Sequence, residues 1–148
     1  MGEKNPQTLK TMNYIVELYF LRGQFDMAEP LCLSCVEHRL SVLGTKNWDS
    51  LKSLSNLGMI YSAQKRYTKA LPYLIESLER ITELFGQDHP ETLRCSNNLG
   101  VLYMDVERYD EALDLFNTCY NKYTELFGPS HRNTLKSMNH LAGRWHIR

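Results

Sequence analysis

The chain repeats itself every 42 residues. The segment TELFG stands at residues 82–86 and again at 124–128, and the residues that follow each copy also align. The aligned columns include Gly44, Gly86 and Gly128; Leu9, Leu51, Leu93 and Leu135; and Tyr19, Tyr61, Tyr103 and Trp145. A period of roughly 20–50 residues is typical of stacked structural repeats, in which each unit buries its apolar face on its neighbours. The sequence predicts one domain, residues 1–148, with repeats at about 3–44, 45–86 and 87–128 and a partial repeat at 129–148.

Each repeat has the pattern of two amphipathic helices. In the third repeat, apolar and small residues recur at steps of three and four over 90–106 and again over 109–127. Helix starts are marked by Pro6 and Pro90, and helix ends by Gly44, Gly86 and Gly128. Seven helices are predicted, near residues 6–21, 25–43, 48–64, 67–85, 90–106, 109–127 and 132–146. The first helix of each repeat is called helix A and the second helix B.

Composition and charge are those of an ordinary globular chain. Apolar residues make up 43% and charged residues 23%, which is close to the average for such proteins. Seventeen basic residues balance 17 acidic ones, so we expect no bulk attraction to nucleic acid or to an anionic membrane. No apolar run approaches the ~18 residues of a membrane-spanning helix, and we expect no signal peptide before the repeats. We therefore expect a cytoplasmic protein.

The residues that could carry chemistry have structural explanations. Cys32 and Cys35 form a C-x-x-C motif, which in another context would indicate a redox pair or half a zinc site. The repeat alignment instead puts Cys32 in the same column as Leu74 and Phe116, which favours buried structural cysteines. His89 shares a column with Asn5 and Asn47 directly before helix A, where a side chain can cap the helix.

No catalytic or metal-binding pattern stands out. The histidines do not converge at metal-ligand spacing. We find no nucleophile–base arrangement, phosphate loop or paired-carboxylate motif. The sequence therefore predicts a protein that is not an enzyme and that needs no cofactor and no metal.

Two short motifs resemble the tetratricopeptide family. They are NLGMIY at 56–61 and NNLGVLY at 97–103, each followed by R-Y-x-x-A, at 66–70 and 108–112. The 42-residue period and LFGQDHPETL at 84–93 resemble the kinesin light chain-like subfamily more closely. The resemblance implies an all-α fold, a right-handed superhelical α-solenoid of antiparallel helix pairs whose A helices line a concave groove. It also implies a protein-interaction role, since kinesin light chain-like repeats bind acidic peptides with an aromatic anchor.

A polar stripe recurs on the A helices. One column is basic in every repeat: Lys10, Lys52, Arg94 and Lys136. The columns three and four residues further on are rich in amides: Asn13, Ser55, Asn97 and Asn139, then Tyr14, Asn56, Asn98 and His140. Steps of three, four and seven residues place these positions on one helix face. Other exposed columns vary freely, as in Ser34, Glu76 and Thr118, so we favour a selected surface over a merely duplicated solvated face.

The stripe predicts a site for an extended, acidic peptide. Asparagine amides offer both a donor and an acceptor to a peptide backbone, and the basic column favours acidic residues. Met59 and Val101 supply an apolar floor for an anchoring side chain. The predicted peptide-binding residues are Lys10, Asn13, Lys52, Asn56, Met59, Arg94, Asn97, Asn98, Val101, Lys136 and Asn139.

Two alternatives stay open. One is a structural or oligomerising module that stacks on repeats of the same or a partner chain, including self-association through the partial repeat. For that partial repeat we expect Leu141, Trp145 and Ile147 to lack the cover of a helix B. The other is a clamp for C-terminal carboxylates, but the tetratricopeptide domains that act as such clamps use a second basic residue where this chain has Asn13, Ser55 and Asn97.

Overall fold

The structure, a computed structural model, describes residues 5–128 of the chain and consists of helices joined by short turns. The helices are α1 (Pro6–Leu21), α2 (Phe25–Leu43), α3 (Trp48–Ala63), α4 (Tyr67–Phe85), α5 (Pro90–Asp105) and α6 (Tyr109–Phe127). Residues 5–128 contain no β-strand. These bounds agree with the first six predicted helices to within one residue, whereas the seventh, at 132–146, lies outside the described residues.

Local side chains fix where the helices begin and end. Asn5, Asn47 and His89 precede the A helices, and each side chain accepts a hydrogen bond from the backbone N–H two residues further on, at 2.9, 2.8 and 3.1 Å. The predicted caps are thereby confirmed for α1, α3 and α5. Helices α2 and α6 end at Gly44 and Gly128, whose φ angles of 81° and 88° lie in the left-handed region that favours glycine.

The chain divides into two compact units, and the boundary falls between Leu84 and Phe85 in the last turn of α4. In the first unit, α2 packs against both α1 and α3, and α1 also touches α3. Its core includes Leu9, Leu51 and Tyr61, which are almost completely buried. In the second unit α5 packs against α6. The alternation of A and B helices thus gives the antiparallel pairs that the sequence predicts.

Small residues allow helix A to approach helix B closely. A Cβ added at Gly58 of α3 would lie 2.7 Å from Leu74 Cδ2 of α4, and one at Gly100 of α5 would lie 2.7 Å from Phe116 Cε1 of α6. The facing column of Ala28, Ala70 and Ala112 is buried. The pairs therefore use the small columns of the repeat as contact points.

Candidate peptide-binding surface

In the first unit, the predicted stripe contains a hydrogen-bond network centred on Asn13. Asn13 Oδ1 accepts from the Ser53 hydroxyl at 3.3 Å and from Asn56 Nδ2 at 3.4 Å. Asn13 Nδ2 donates to Glu17 Oε1, 2.9 Å away. Asn13 is only 3% exposed, so its amide holds α1 against α3 instead of facing solvent.

Glu17 connects this network to the basic column. Lys52 Nζ lies 3.2 Å from Glu17 Oε1, and both side chains are about one-third exposed, at 34% and 35%. The ion pair crosses from α3 to α1, so part of the Lys52 charge is already balanced within the protein. A pair exposed to this degree contributes little to the free energy of unfolding, about 0–1 kcal/mol. It does reduce the positive charge that Lys52 can offer to a ligand.

In the second unit, α5 carries the corresponding stripe. Arg94 is the most accessible of the paired cations on the two stripes, with 57% of its side chain exposed, and its Nη2 lies 2.6 Å from Glu91 Oε2 one turn earlier. Asn98 and Val101 are half-buried. Their spacing of four and seven residues from Arg94 puts all three on one face of α5.

Asn97, the counterpart of Asn13, is also buried, with 7% exposure. Its Oδ1 is shielded from solvent and has no hydrogen-bond partner among residues 5–128. Asn97 is therefore part of the interior of the second unit, and Asn98 is the more accessible amide there.

The other predicted site residues differ in how far their side chains are exposed to solvent. Lys10 on α1 is exposed, while Asn56 and Met59 on α3 are half-buried. The structure brings Asn13, Lys52 and Asn56 together through direct contacts and through Glu17. Lys136 and Asn139 lie outside the described residues.

Two residues outside the predicted site, Glu17 and Arg39, make contacts that link the helices of the first unit. Glu17 stands in a column with Met59 and Val101, and this change from apolar to acidic is the signal that could have identified it. Arg39 of α2 is 4% exposed and donates from Nη1 to the Asp49 carbonyl at 3.0 Å and to Ser53 Oγ at 2.8 Å. Its column otherwise contains Ile81 and Tyr123.

The cysteines are structural, as predicted. All four are buried. The thiols of Cys32, Cys35 and Cys119 lie near the backbone carbonyls of Ser53, Leu9 and Leu93, respectively. Burial raises the pKa of Cys32 and Cys35 above the usual thiol value and raises that of Cys119 to about 12. Such thiols are poor nucleophiles and poor metal ligands at neutral pH.

Two further observations concern membrane-spanning helices and metal sites. No helix within residues 5–128 is long and apolar enough to cross a membrane. Within the same part of the chain, no three His, Cys, Asp or Glu side chains are grouped so that they could hold a metal ion.

Sequence comparison identifies repeats along most of the chain. Two family models described as Tetratricopeptide repeat match it, one at residues 49–120 and 96–143 and the other at 8–49. No curated protein matches the sequence.

Solved structures similar to this chain are kinesin light chain-like repeats. One is the crystal structure of nearly identical TPR-like repeats of a kinesin light chain from Podosopora anserina, with a TM-score of 0.85 and 21% identity, covering 93% of this chain and 65% of that chain. Another is BtubC (BKLC) from P. vanneervenii, with a TM-score of 0.78 and 15% identity over 95% of this chain and 56% of that one. This chain therefore spans less than two-thirds of either structure. The similarity confirms the predicted fold class, an α-solenoid of antiparallel helix pairs.

Proposed function

This chain belongs to the tetratricopeptide repeat family, and from that premise we propose that it is a protein-interaction module that binds an acidic peptide on its A-helix face. The observation that carries the proposal is the recurrence, on successive A helices, of an accessible cation and an accessible amide one turn apart. Lys52 and Asn56 form this pair on α3, and Arg94 and Asn98 form it on α5.

The accessible cations give the surface its preference for acidic ligands. Arg94 and Lys10 are exposed, so an approaching carboxylate can pair with them while both groups keep part of their hydration. Contacts of this kind contribute more to the rate of encounter and to specificity than to affinity. The surface Glu91–Arg94 pair, worth about 0–1 kcal/mol, can be given up on binding.

The amides can hold a peptide backbone without reading its sequence. Asn56 uses Nδ2 to donate to Asn13 Oδ1, which leaves its carbonyl oxygen as the group that would accept from a ligand N–H. Asn13 is buried and contributes by orienting Asn56. We propose the analogous division in the second unit, where Asn98 contacts the ligand and the buried Asn97 does not.

Apolar residues beside each amide can receive an anchoring side chain. Met59 and Val101 are half-buried, so part of each side chain remains open to a ligand. Burial of one aromatic or leucine side chain against such a surface contributes about 2 kcal/mol. Because an extended peptide loses backbone freedom on binding, we expect affinity of micromolar order.

Fluorescence anisotropy with a labelled peptide rich in Asp and Glu and containing a single Trp tests the proposal. We expect Arg94→Glu to weaken binding at least about tenfold, or about 1.4 kcal/mol, with little change in melting temperature. Asn98→Ala should also weaken binding. Affinity should fall from low to physiological salt, because screening acts within about 8–10 Å.

The matched control is Glu79→Lys, which changes an exposed acidic residue on helix B, α4. It should leave binding nearly unchanged. If Arg94→Glu and Glu79→Lys alter affinity equally, or if neither alters it, the A-helix face is not the binding surface. A peptide with the same composition but Lys and Arg in place of its acidic residues should not bind.

A further inference from the structure

Asn97 of α5 holds a buried acceptor whose donor is not among the described residues. The side chain is 7% exposed, and Oδ1 is shielded from solvent without a hydrogen-bond partner within residues 5–128. Buried polar groups in proteins are nearly always paired. Such an acceptor therefore points to a donor elsewhere, and the second unit extends past the described residues to Arg148.

The first unit shows where a donor of this kind comes from. Asn13 occupies the same column and accepts from Ser53 and Asn56, which lie 40 and 43 residues further along the chain. The same distances, counted from the unpaired acceptor of α5, lead to Ser137 and His140. A serine hydroxyl and an imidazole N–H can both donate to an amide oxygen. Both donor positions of the first unit thus recur as possible donors in the partial repeat.

The residue of helix B that contacts the serine changes in step. In the first unit Arg39 donates to Ser53, which donates to Asn13, so the three side chains form a relay of hydrogen bonds. The third repeat has Tyr123 in the column of Arg39, and this buried side chain carries a hydroxyl that can donate. The corresponding residues of the second repeat are Ile81, Cys95 and Ser55. All three positions change together there, which indicates that the members of the relay contact one another.

We propose that residues 132–146 dock on α5 and α6 through a second copy of this relay. The Ser137 hydroxyl donates to Asn97 Oδ1 and accepts from the Tyr123 hydroxyl. The imidazole N–H of His140 is the second donor to the same amide oxygen. One match to a family model described as Tetratricopeptide repeat spans residues 96–143, so it includes both sides of this contact.

Docking also extends the A-helix face, and this consequence rests on the function proposed above. In the first unit Lys52 pairs with Glu17 of the preceding A helix. The corresponding positions across the proposed contact are Lys136 and Val101. Since valine carries no charge, Lys136 meets no acidic side chain at this position of α5. Its charge is therefore open to a carboxylate of the ligand.

A double-mutant cycle in the full chain tests the docking contact. Asn97→Ser suits one side, because Ser55 shows that serine is accepted in this column, and Ser137→Ala removes the donor on the other side. Each change should raise the equilibrium constant of unfolding about two- to tenfold, measured by urea denaturation. The double variant should lose less than the sum of the two effects.

The control cycle replaces the first change with Asn98→Ala, since this neighbouring amide is only half-buried and lies outside the relay. Its effect and that of Ser137→Ala should add. Additive effects of Asn97→Ser and Ser137→Ala would overturn the proposed contact.

Amide hydrogen exchange measures docking of the segment directly. In the wild-type chain, the amides of residues 134–142 should exchange at least about tenfold more slowly than in a free peptide of the same sequence. Ser137→Ala should reduce this protection while leaving that of α3 unchanged. Exchange of 134–142 at the rate of the free peptide would overturn the proposal.

Anisotropy with the acidic peptide tests the extension of the A-helix face. Lys136→Gln should weaken binding about three- to tenfold and more than Lys52→Gln does, because Glu17 already balances part of the Lys52 charge. Equal effects, or no effect of Lys136→Gln, would overturn the extension. If Arg94→Glu also leaves affinity unchanged, the proposed function itself fails, whereas the exchange of 134–142 reports on docking alone.

Discussion

Arg39 Nη1 donates a hydrogen bond to the Ser53 hydroxyl at 2.8 Å, and Ser53 donates in turn to Asn13 Oδ1 at 3.3 Å. This relay of two hydrogen bonds links α2 to α3 and α3 to α1. It therefore connects a buried side chain of helix B with the polar stripe of the A helices. It also explains why Asn13 is buried: its carbonyl oxygen is the acceptor at the end of the relay.

Truncation of Arg39 should destabilise the first unit. Arg39→Ala would remove the donor that serves both Ser53 Oγ and the Asp49 carbonyl and would leave a cavity in a buried position. We expect the free energy of unfolding to fall by about 2–4 kcal/mol, measured by urea denaturation. Arg80→Ala, which removes an exposed partner of Glu76, should cost less than about 0.5 kcal/mol. Equal effects of the two changes would show that the relay contributes nothing.

Neutralising Glu17 should strengthen the proposed binding of acidic peptides. Glu17 pairs with Lys52, so an incoming carboxylate must compete with it for the same cation. Glu17→Gln retains an oxygen that can accept from Asn13 but removes the negative charge. We expect affinity for the acidic peptide to rise about three- to tenfold, measured by anisotropy at low salt.

The control for this change is Glu76→Gln, which neutralises a paired carboxylate on α4, away from the A-helix face. It should leave affinity unchanged. If Glu17→Gln weakens binding or has no effect, then Lys52 does not contact the acidic residues of the peptide.

The helices could be predicted from the sequence because their determinants are local and are repeated. The caps at Asn47 and His89 and the glycine at 44 act within a few residues, and the 42-residue register repeats their positions along the chain. The binding surface could be predicted only in part. A column of asparagines indicates a polar face, but burial of Asn13 depends on Ser53 and Asn56, which lie 40 and 43 residues away.

The same limit explains the residues that the pattern missed. Glu17 and Lys52 are 35 residues apart, and only the contact between α1 and α3 turns them into an ion pair. Arg39 occupies a column that is apolar in the other repeats. Its buried partners belong to α3, and no pattern within α2 reveals them.

Enlarging Gly100 should destabilise the second unit more than enlarging Gly58 destabilises the first. A new Cβ at Gly100 would meet three atoms of the rigid Phe116 ring at 2.7–3.2 Å, whereas one at Gly58 would meet Leu74 Cδ2 and Cγ at 2.7 and 2.8 Å and Tyr73 Cβ at 3.3 Å. A leucine side chain can change its rotamer more easily than a buried phenylalanine ring. Alanine also gains about 0.5–1 kcal/mol of helix propensity over glycine, which can offset the clash at Gly58. Gly100→Leu should cost about 1–3 kcal/mol. A Gly100→Leu chain that melts like the wild type would contradict the close pairing of α5 and α6.

The stability of the fold should decline at alkaline pH. Burial raises the pKa of Cys32 and Cys35, and it raises those of Cys119 and Tyr123 to about 12 in the folded chain. In the unfolded chain a thiol loses its proton near its ordinary pKa of 9.0. Above that pH the folded state holds more protons than the unfolded state, so the stabilisation is complete below about pH 9 and is lost as pH rises toward 12.

Cys119→Ser measures how much one buried thiol contributes to this pH dependence. Serine is the suitable replacement because the buried Ser77 occupies the same column in the second repeat, which shows that a hydroxyl fits there. Above pH 9, each buried thiol lowers the free energy of unfolding by up to about 1.4 kcal/mol per pH unit. Urea denaturation at a series of pH values from 7.5 to about 10.5 should therefore give a shallower decline for Cys119→Ser than for the wild type. Parallel curves for the two chains would mean that Cys119 ionises equally easily in the folded and unfolded states, contrary to its burial against the Leu93 carbonyl.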